Sequence, residues 1–295
     1  MTDRSDNGGF RVELPAKAAG EVRRRHEANR SAWNEGATQY TKEIEAARDF
    51  LVAGNSNIHP VERSNLARYG PLSAWCRTAI HLQCAGGRDT LSLAVEGAHR
   101  VIGIDISDLM IRNARELSRL TGLVAEWYRC DVLETPHELD GTADLVYSGR
   151  GALCWIHDLS GWMRVAARLL RPGGILSLFD GHPIQALVQE NCPTLQFADG
   201  ARYFGYVMSD KGWCDQYIGR IDGMSPGDES RKYERNWTLS EVVQAAIDAG
   251  LVIDVFSEHP DEFWEAFPEL PAAERERIPN TFSLCAHRPP TGGQV

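Results

Sequence analysis

His81-Leu-Gln-Cys-Ala-Gly-Gly-Arg-Asp-Thr90 is followed in the chain by Val101-Ile-Gly-Ile-Asp105-Ile-Ser107. The apolar run over 79–84 reads as a strand, and 90–96 reads as the helix behind it. Small residues at 85, 86 and 87 let the backbone pass close to a ligand. The N-terminus of the following helix favours a carboxylate or another anion. A glycine-rich turn can also be nothing more than a tight connection. The second stretch narrows the choice. It reads as a strand over 100–104 with Asp105 at its end, eighteen residues beyond Gly87. An acid there can accept hydrogen bonds from both hydroxyls of a ribose. A helix cap or a solvated turn acid is the plainer role.

The same rhythm continues outward. A helix is expected over 109–121, a third strand over 125–130 and a fourth over 143–147. The amphipathic helix over 159–170 should be ended by Arg171-Pro-Gly-Gly174, which cannot easily continue it. A fifth strand follows at 175–179. After a break come a helix at 238–249, capped by Thr238 or Ser240 and ended by Gly250, a sixth strand at 251–256, and a seventh, edge or near-edge, at 281–287. Successive strand–helix units predict an α/β fold: a doubly wound, mostly parallel seven-stranded sheet covered on both faces. The ligand then sits beyond the carboxyl ends of the strands, where their order reverses.

Residues 71–288 make up this domain. Residues 1–20 read as a disordered tail and 289–295 as another. Residues 21–70 read as an N-terminal helical cover, with Trp33, Tyr40, Ile44, Ala47 and Phe50 among the inward positions. Residues 183–236 form an insertion after strand five. That length is unusual for a linker, and it is read as a lid or as extra substrate-binding strands.

Composition bounds the partners. The 295 residues are 43% hydrophobic and carry a formal net charge of −10. Such a surface on average repels a phosphate backbone, so no nucleic-acid partner is expected. Arg23, Arg24, Arg25 and Arg30, interrupted by Glu21 and Glu27, read as an exposed helix face. No stretch is long and apolar enough to span a bilayer. The N-terminus lacks the apolar core of a signal peptide. A cytoplasmic protein without a membrane partner is expected. Seven scattered cysteines without a CxxC pair imply free thiols and no metal site.

Two further residues suit a nucleoside. Asp131, after the third strand, could accept a hydrogen bond from an adenine amino group. Met110 could touch the ring, or simply belong to the core. NAD fits less well, because its phosphate loop needs G-x-G-x-x-G and the register here is Cys84-Ala-Gly-Gly-Arg-Asp.

On these residues the chain resembles class I S-adenosylmethionine-dependent methyltransferases. The ordered signals are the loop 81–90, Val101 to Ser107, Arg129-Cys-Asp131, and Ala143-Asp-Leu-Val-Tyr147 leading to Leu170-Arg-Pro-Gly-Gly174. The likeness covers about 50–288. More narrowly, it is similar to a bacterial subgroup with a His-Leu-Gln-Cys opening that is linked to small or specialised metabolites. The resemblance implies S-adenosylmethionine as cofactor, held by Gln83, Ala85, Gly87, Asp105, Ile106, Met110, Asp131, Val132 and Ser148. It also exposes departures. The family commonly has an acid where this chain has His81, and glycines at 83 and 85. The lost acid often anchors the cofactor's amino group; Gln83 or a neighbouring carbonyl is the expected substitute.

The implied reaction is methyl transfer to oxygen or nitrogen of a small, aromatic or heteroatom-bearing metabolite. Carbon methylation and a nonenzymatic cofactor- or partner-binding role stay open. Ser148 to Asp158 should run beside the transferring methyl. There Trp155 could wall the site. His157 is a base suited to neutral pH, or a structural residue beside a helix-capping Asp158. Arg150 could bind an anionic acceptor or form a surface salt bridge. His182 follows strand five and is the other catalytic candidate, a turn hydrogen bond being its alternative. His259 could face the same opening. Tyr203, Phe204, Tyr206, Trp213, Tyr217 and Trp237 could enclose an aromatic acceptor or form a core beneath the lid. Tyr40 and Trp33 would close the pocket from the other side. That cover could belong to the same or a second subunit, which leaves a homo-oligomer open.

Overall fold

A computed structural model describes residues 10–214 and 217–290. The elements are β1 (Arg11–Glu13), α1 (Ala19–Lys42), α2 (Ile44–Val52), α3 (Pro60–Ala67), α4 (Leu72–Trp75), β2 (Thr78–Leu82), α5 (Arg88–Val95), β3 (Arg100–Asp105), α6 (Asp108–Thr121), β4 (Glu126–Arg129), β5 (Ala143–Gly149), α7 (Leu159–Leu169), β6 (Leu170–Gly181), β7 (Val207–Asp210), β8 (Lys232–Arg235), α8 (Leu239–Asp248), β9 (Val252–His259), α9 (Ala272–Arg275) and β10 (Thr281–His287).

Seven strands form one sheet in the order β4-β3-β2-β5-β6-β10-β9. The first five run parallel; β10 is antiparallel to both β6 and β9. Alternation along the strands sorts the core into two layers. Ile80, Leu82, Ile102, Ile104 and Val146 join α7 and α8 on one face. Ala79, Val101, Leu145 and Tyr147 join the α3–α4 region on the other. Strand order reverses between β2 and β5, so the crevice opens where β2, β3 and β5 end.

Two boundaries moved for physical reasons. Helix α7 stops at Leu169, one residue short of the expected 170, and β6 starts at Leu170 and takes in Pro172, Gly173 and Gly174. The irregular register there pairs Leu170 with Ala143 and then Ile175 with Leu145. Gly173 N–H donates to Arg288 O at 2.7 Å, which anchors the bulged turn. The second concerns the N-terminus. Arg11–Glu13, expected in a tail, pairs antiparallel with β7, which pairs with β8. The insertion thus contributes a small separate sheet, β1-β7-β8. Of the rest of that expected tail, 14–20 is described and enters α1 at Ala19, while 1–9 and the tail residues 291–295 lie outside the described residues.

Helix α8 starts where the sequence says. Thr238 caps it through Glu241 N–H at 3.2 Å, and Glu241 returns a carboxylate to Thr238 N–H at 2.9 Å. Thr238→Ala should therefore cost about 1 kcal/mol in urea unfolding. No change in midpoint would mean that the cap contributes nothing here.

Among the described residues no helix is long and apolar enough to cross a membrane.

Candidate active site

The loop from β2 to α5 is built from unusual backbone. Gln83, Ala85 and Gly87 take φ values of +59°, +46° and +83°. Two of the three carry a Cβ, so the loop stores strain that its surroundings must hold. Gln83 is held at both ends of its amide. Its Nε2–H donates to Ala152 O at 2.6 Å, and its Oε1 accepts from Trp162 Nε1–H at 2.9 Å. Ala85 is held by Asp105. Gly87 answers to packing: a Cβ there would lie 2.6 Å from Trp127 and 2.8 Å from Ala114 Cβ. Gly86 admits the ring of Tyr40, which would be 2.7 Å from a Cβ.

Asp105 ends β3 inside the crevice. Its Oδ2 accepts from Ala85 N–H at 2.9 Å and its Oδ1 from Ser107 N–H at 2.8 Å. Burial pushes its carboxyl up to about 6, against those backbone donors, which pull it down. A carboxylate offers about four acceptor positions, so capacity remains on both oxygens. Two hydroxyl donors from a ribose fit that capacity.

The far side of the crevice is covered by α1. Asp131 is bound there: His26 Nδ1–H donates to its Oδ2 at 2.6 Å, and Leu133 N–H donates to its Oδ1 at 3.0 Å. His26 Nε2 in turn accepts from His157 N–H at 3.1 Å. An imidazole nitrogen that accepts carries no proton, so the ring is neutral with its proton on Nδ1. Asp131, expected to meet an adenine amino group, thus serves first to latch α1. Further latches are Ser107 Oγ–H to Asn34 Oδ1 at 2.7 Å, Arg30 to Asp108 at 2.7 Å, and Asn113 Nδ2–H to Ala37 O at 2.9 Å. The insertion is clamped to the same helix, since Asn29 exchanges hydrogen bonds of 2.9 and 2.7 Å with the backbone of Tyr233. His26→Leu removes two buried partners at once. It should cost about 1–3 kcal/mol, measured by urea unfolding; an unchanged midpoint would show the latch to be idle.

The turn after β5 is fixed by Asp180. This one carboxylate accepts from the backbone N–H groups of Gly151, Ala152, Leu153 and Gly181 at 2.6–3.1 Å. Burial still holds its pKa above the ordinary value. Ser148 is buried and donates to Leu82 O at 3.1 Å. Arg150, at φ +56°, turns into a charged cluster. It pairs with Asp89, donates to Asn57 O at 3.0 Å, and lies 3.9 Å from the fully buried Glu62. Tyr147 O–H donates to Glu62 at 2.6 Å. The surface salt bridge gives way to this buried network.

These elements enclose a cleft of about 1120 Å³. Of the residues expected to touch cofactor, Gln83, Ala85, Asp105, Ile106, Met110, Asp131 and Val132 line it, while Gly87 and Ser148 lie behind it. Met110 is only 1% exposed and packs with Trp33, so core and cleft roles coincide in it. Of the expected acceptor-side residues, Tyr40, Arg150, Trp155 and Trp213 line the cleft. Trp33, Trp155 and Trp213 meet at centroid distances of 4.7–5.9 Å. Gly36 of α1 leaves room for the Trp213 ring. Tyr40 and Tyr217 share a hydroxyl–hydroxyl hydrogen bond of 2.9 Å.

The remaining expected residues stand elsewhere. Tyr203 stacks edge-on with Phe204. Tyr206 is buried. Trp237 donates to Ile156 O at 2.9 Å beneath Arg235. His259 binds Ser283 at 2.8 Å. His157 donates from Nε2–H to Tyr233 O at 3.3 Å, and its buried Nδ1 has no partner. Burial drives its pKa down to about 3. His182 caps a one-turn helix, its Nδ1 accepting from Ile184 N–H at 3.1 Å, while Nε2–H faces Glu258 at 2.8 Å. None of these six lines the cleft. The lining also includes His26, Asn29, Asp89 and Glu234, which sequence reasoning did not single out. Only Asp89 had a linear signal, its place in the loop 81–90. Among the described residues no cluster of three or more His, Cys, Asp or Glu side chains is placed to hold a metal ion.

The fold is that of the class I S-adenosylmethionine-dependent methyltransferases. A family model described as a methyltransferase domain matches residues 79–174. The chain is similar in structure to an S-adenosylmethionine-dependent methyltransferase from Mesorhizobium loti, at 22% identity and TM-score 0.54, over 77% of this chain and 98% of that one. It is similar also to such a methyltransferase from Clostridium acetobutylicum, at 12% identity and TM-score 0.55, over 84% and 99%. A third similar structure is the [4+2]-cyclase SpnF, at 16% identity and TM-score 0.52, over 85% and 94%. None of the curated proteins matches the chain.

Proposed function

We propose that this protein transfers a methyl group from S-adenosylmethionine to oxygen or nitrogen of a small, aromatic or heteroatom-bearing metabolite. The observation that carries this is Asp105: a buried carboxylate at the end of β3, bonded to the β2–α5 loop and open to the cleft. The cofactor's ribose hydroxyls would meet its free acceptor positions. Ile106, Met110 and Val132 would border the adenine.

When bound, S-adenosylmethionine supplies a methyl carbon activated by its sulfonium. The residues of the chain align the acceptor and exclude water. Trp33, Trp155, Trp213 and Tyr217 give the acceptor flat apolar walls. Burial holds the Tyr217 hydroxyl up at about 12 and the Cys154 thiol well above its ordinary value. Both therefore stay protonated near neutral pH and offer no free base. An acceptor whose lone pair is available near neutral pH, such as an unprotonated amine or an acidic phenol, suits these walls best. On this reading His157 and His182 shape the walls from behind and do not touch the acceptor.

Calorimetry with S-adenosylmethionine, S-adenosylhomocysteine and NAD tests the cofactor. The first two should bind and NAD should not; binding of NAD alone would sink the proposal. A screen of metabolite extracts with methyl-labelled cofactor tests the acceptor, and label confined to RNA or protein would overturn the small-molecule assignment. The second reading is a cofactor-binding protein that does not transfer the methyl group, because a fold alone does not set its chemistry. Tight cofactor binding with no methylated product across those extracts would support it.

A further inference from the structure

We infer that Asp89 receives the α-ammonium group of the cofactor, a task for which the end of β2 offers no acid. The inference rests on the proposed cofactor and concerns how this chain holds its amino-acid end.

The strand end itself is spent. His81 is 3% exposed and its Nδ1 shares a 2.9 Å hydrogen bond with Thr90 Oγ1. Burial lowers its pKa to about 4, so the ring is neutral near pH 7 and brings no negative charge. Gln83, the expected substitute, has its amide tied to Ala152 and Trp162. Asp89 is the carboxylate left on this wall. It lines the cleft beside His81, Asn57, Arg150 and Tyr40.

Charge counting points the same way. Asp89 and Glu62 share one neighbouring guanidinium, that of Arg150. Glu62 is sealed off from the cleft: Tyr147 O–H and His59 N–H occupy its oxygens at 2.6 and 2.7 Å. With both acids ionised the buried cluster is one positive charge short. Arg88 also borders the cleft, but it is exposed and its charge is solvated. Asn57 Nδ2–H and Arg150 take two of the acceptor positions on Asp89. The others remain for a cation arriving from the cleft, and an ammonium carries three donors. Arg150 is then a positioning residue. It fixes Asp89 and holds its carboxyl below the usual range against the cost of burial. A strained backbone at 150 is a reasonable cost for a function of this kind.

The test is calorimetry on the full chain with two probes. S-adenosylhomocysteine keeps the amino-acid end; methylthioadenosine lacks it. Asp89→Asn should weaken the first by roughly 10–100-fold, the range of a charge-assisted hydrogen bond. It should leave the second within about twofold of wild type. Equal losses on both probes, or no loss on the first, would overturn the inference. Thermal unfolding of the variant checks that it folds. If it does not, wild type is compared on S-adenosylhomocysteine and its analogue lacking only the α-amino group. The same weakening is then expected, and equal affinities overturn the inference. Wild type binding neither probe would instead sink the cofactor assignment itself, and this inference with it.

Discussion

Asp105→Asn should weaken binding of S-adenosylmethionine by roughly 100-fold. Two hydroxyl donors would lose a charged acceptor, at about 1.5 kcal/mol or more each, and 1.4 kcal/mol is a factor of ten. The pH dependence carries the same signature. Burial raises this carboxyl to about 6 in the free protein. Two donated hydrogen bonds favour its ionised form, so ligand binding lowers that pKa and releases a proton. Wild-type affinity should therefore fall as pH is lowered through about 6, and the Asn variant should lose that dependence. Calorimetry in buffers of differing ionisation enthalpy measures both. Unchanged affinity in the variant would remove Asp105 from the ribose role. A pH-independent wild-type affinity would contradict the protonation argument alone.

The second large effect is on stability. Arg150→Met leaves Glu62 and Asp89 buried together with no guanidinium between them. Removing one partner of a buried ion network typically costs about 3–5 kcal/mol. The sign with pH follows from Glu62. Burial already raises its carboxyl, with Arg150 the leading counterweight. A carboxyl whose folded pKa lies above its unfolded value opposes folding only when ionised. The loss should thus be full near pH 7 and shrink as pH falls toward about 4, the ordinary glutamate value. Asp89 acts in the same direction. With Arg150 present its pKa is depressed, so it stabilises the wild type above about 4 and ceases to do so below. Urea unfolding of Arg150→Met, with and without Glu62→Gln, across this pH range is the measurement. Part of the lost stability should return in the double variant. A cost under about 1 kcal/mol at pH 7, or no recovery in acid, would show that the network is hydrated and weakly coupled.

Much of the sheet was legible because its signals are local. Val101-Ile-Gly-Ile-Asp105 and Ala143-Asp-Leu-Val-Tyr147 are short apolar runs ended by polar residues, and β3 and β5 fall on them. Thr238 with Glu241, and Gly250 beyond, mark the two ends of α8 in the same way. The β1-β7-β8 sheet was not legible as such. Arg11-Val-Glu13 is three residues long, and its partner lies nearly two hundred residues away. No pattern within so short a strand can announce that pairing.

The candidate site divides along the same line. Position at a strand end sufficed to bring Ala85, Asp105, Ile106 and Asp131 to the crevice, because a parallel sheet aligns its carboxyl ends whatever covers them. Side-chain direction did not follow from position. His157 and His182 both sit after strands, yet each turns its ring into neighbouring backbone and carboxylate partners. The aromatic insertion contributed Trp213 and Tyr217 to the cleft but kept Tyr206 and Trp237 in its own packing. The composition of a segment says that rings must be buried, not against what. Asp131 shows the distinction most directly: its chain position suits a ligand, and a helix more than a hundred residues earlier supplies His26 to the same oxygen. Local periodicity and turn chemistry determined the sheet, its order of strands and helices and the end at which the cleft opens. Only the tertiary structure decided which buried charges face the cleft, because partners such as His26, Glu62 and Arg150 meet through contacts between segments far apart in the chain, and an unpaired charge in that interior would cost several kcal/mol, on the order of the protein's whole stability.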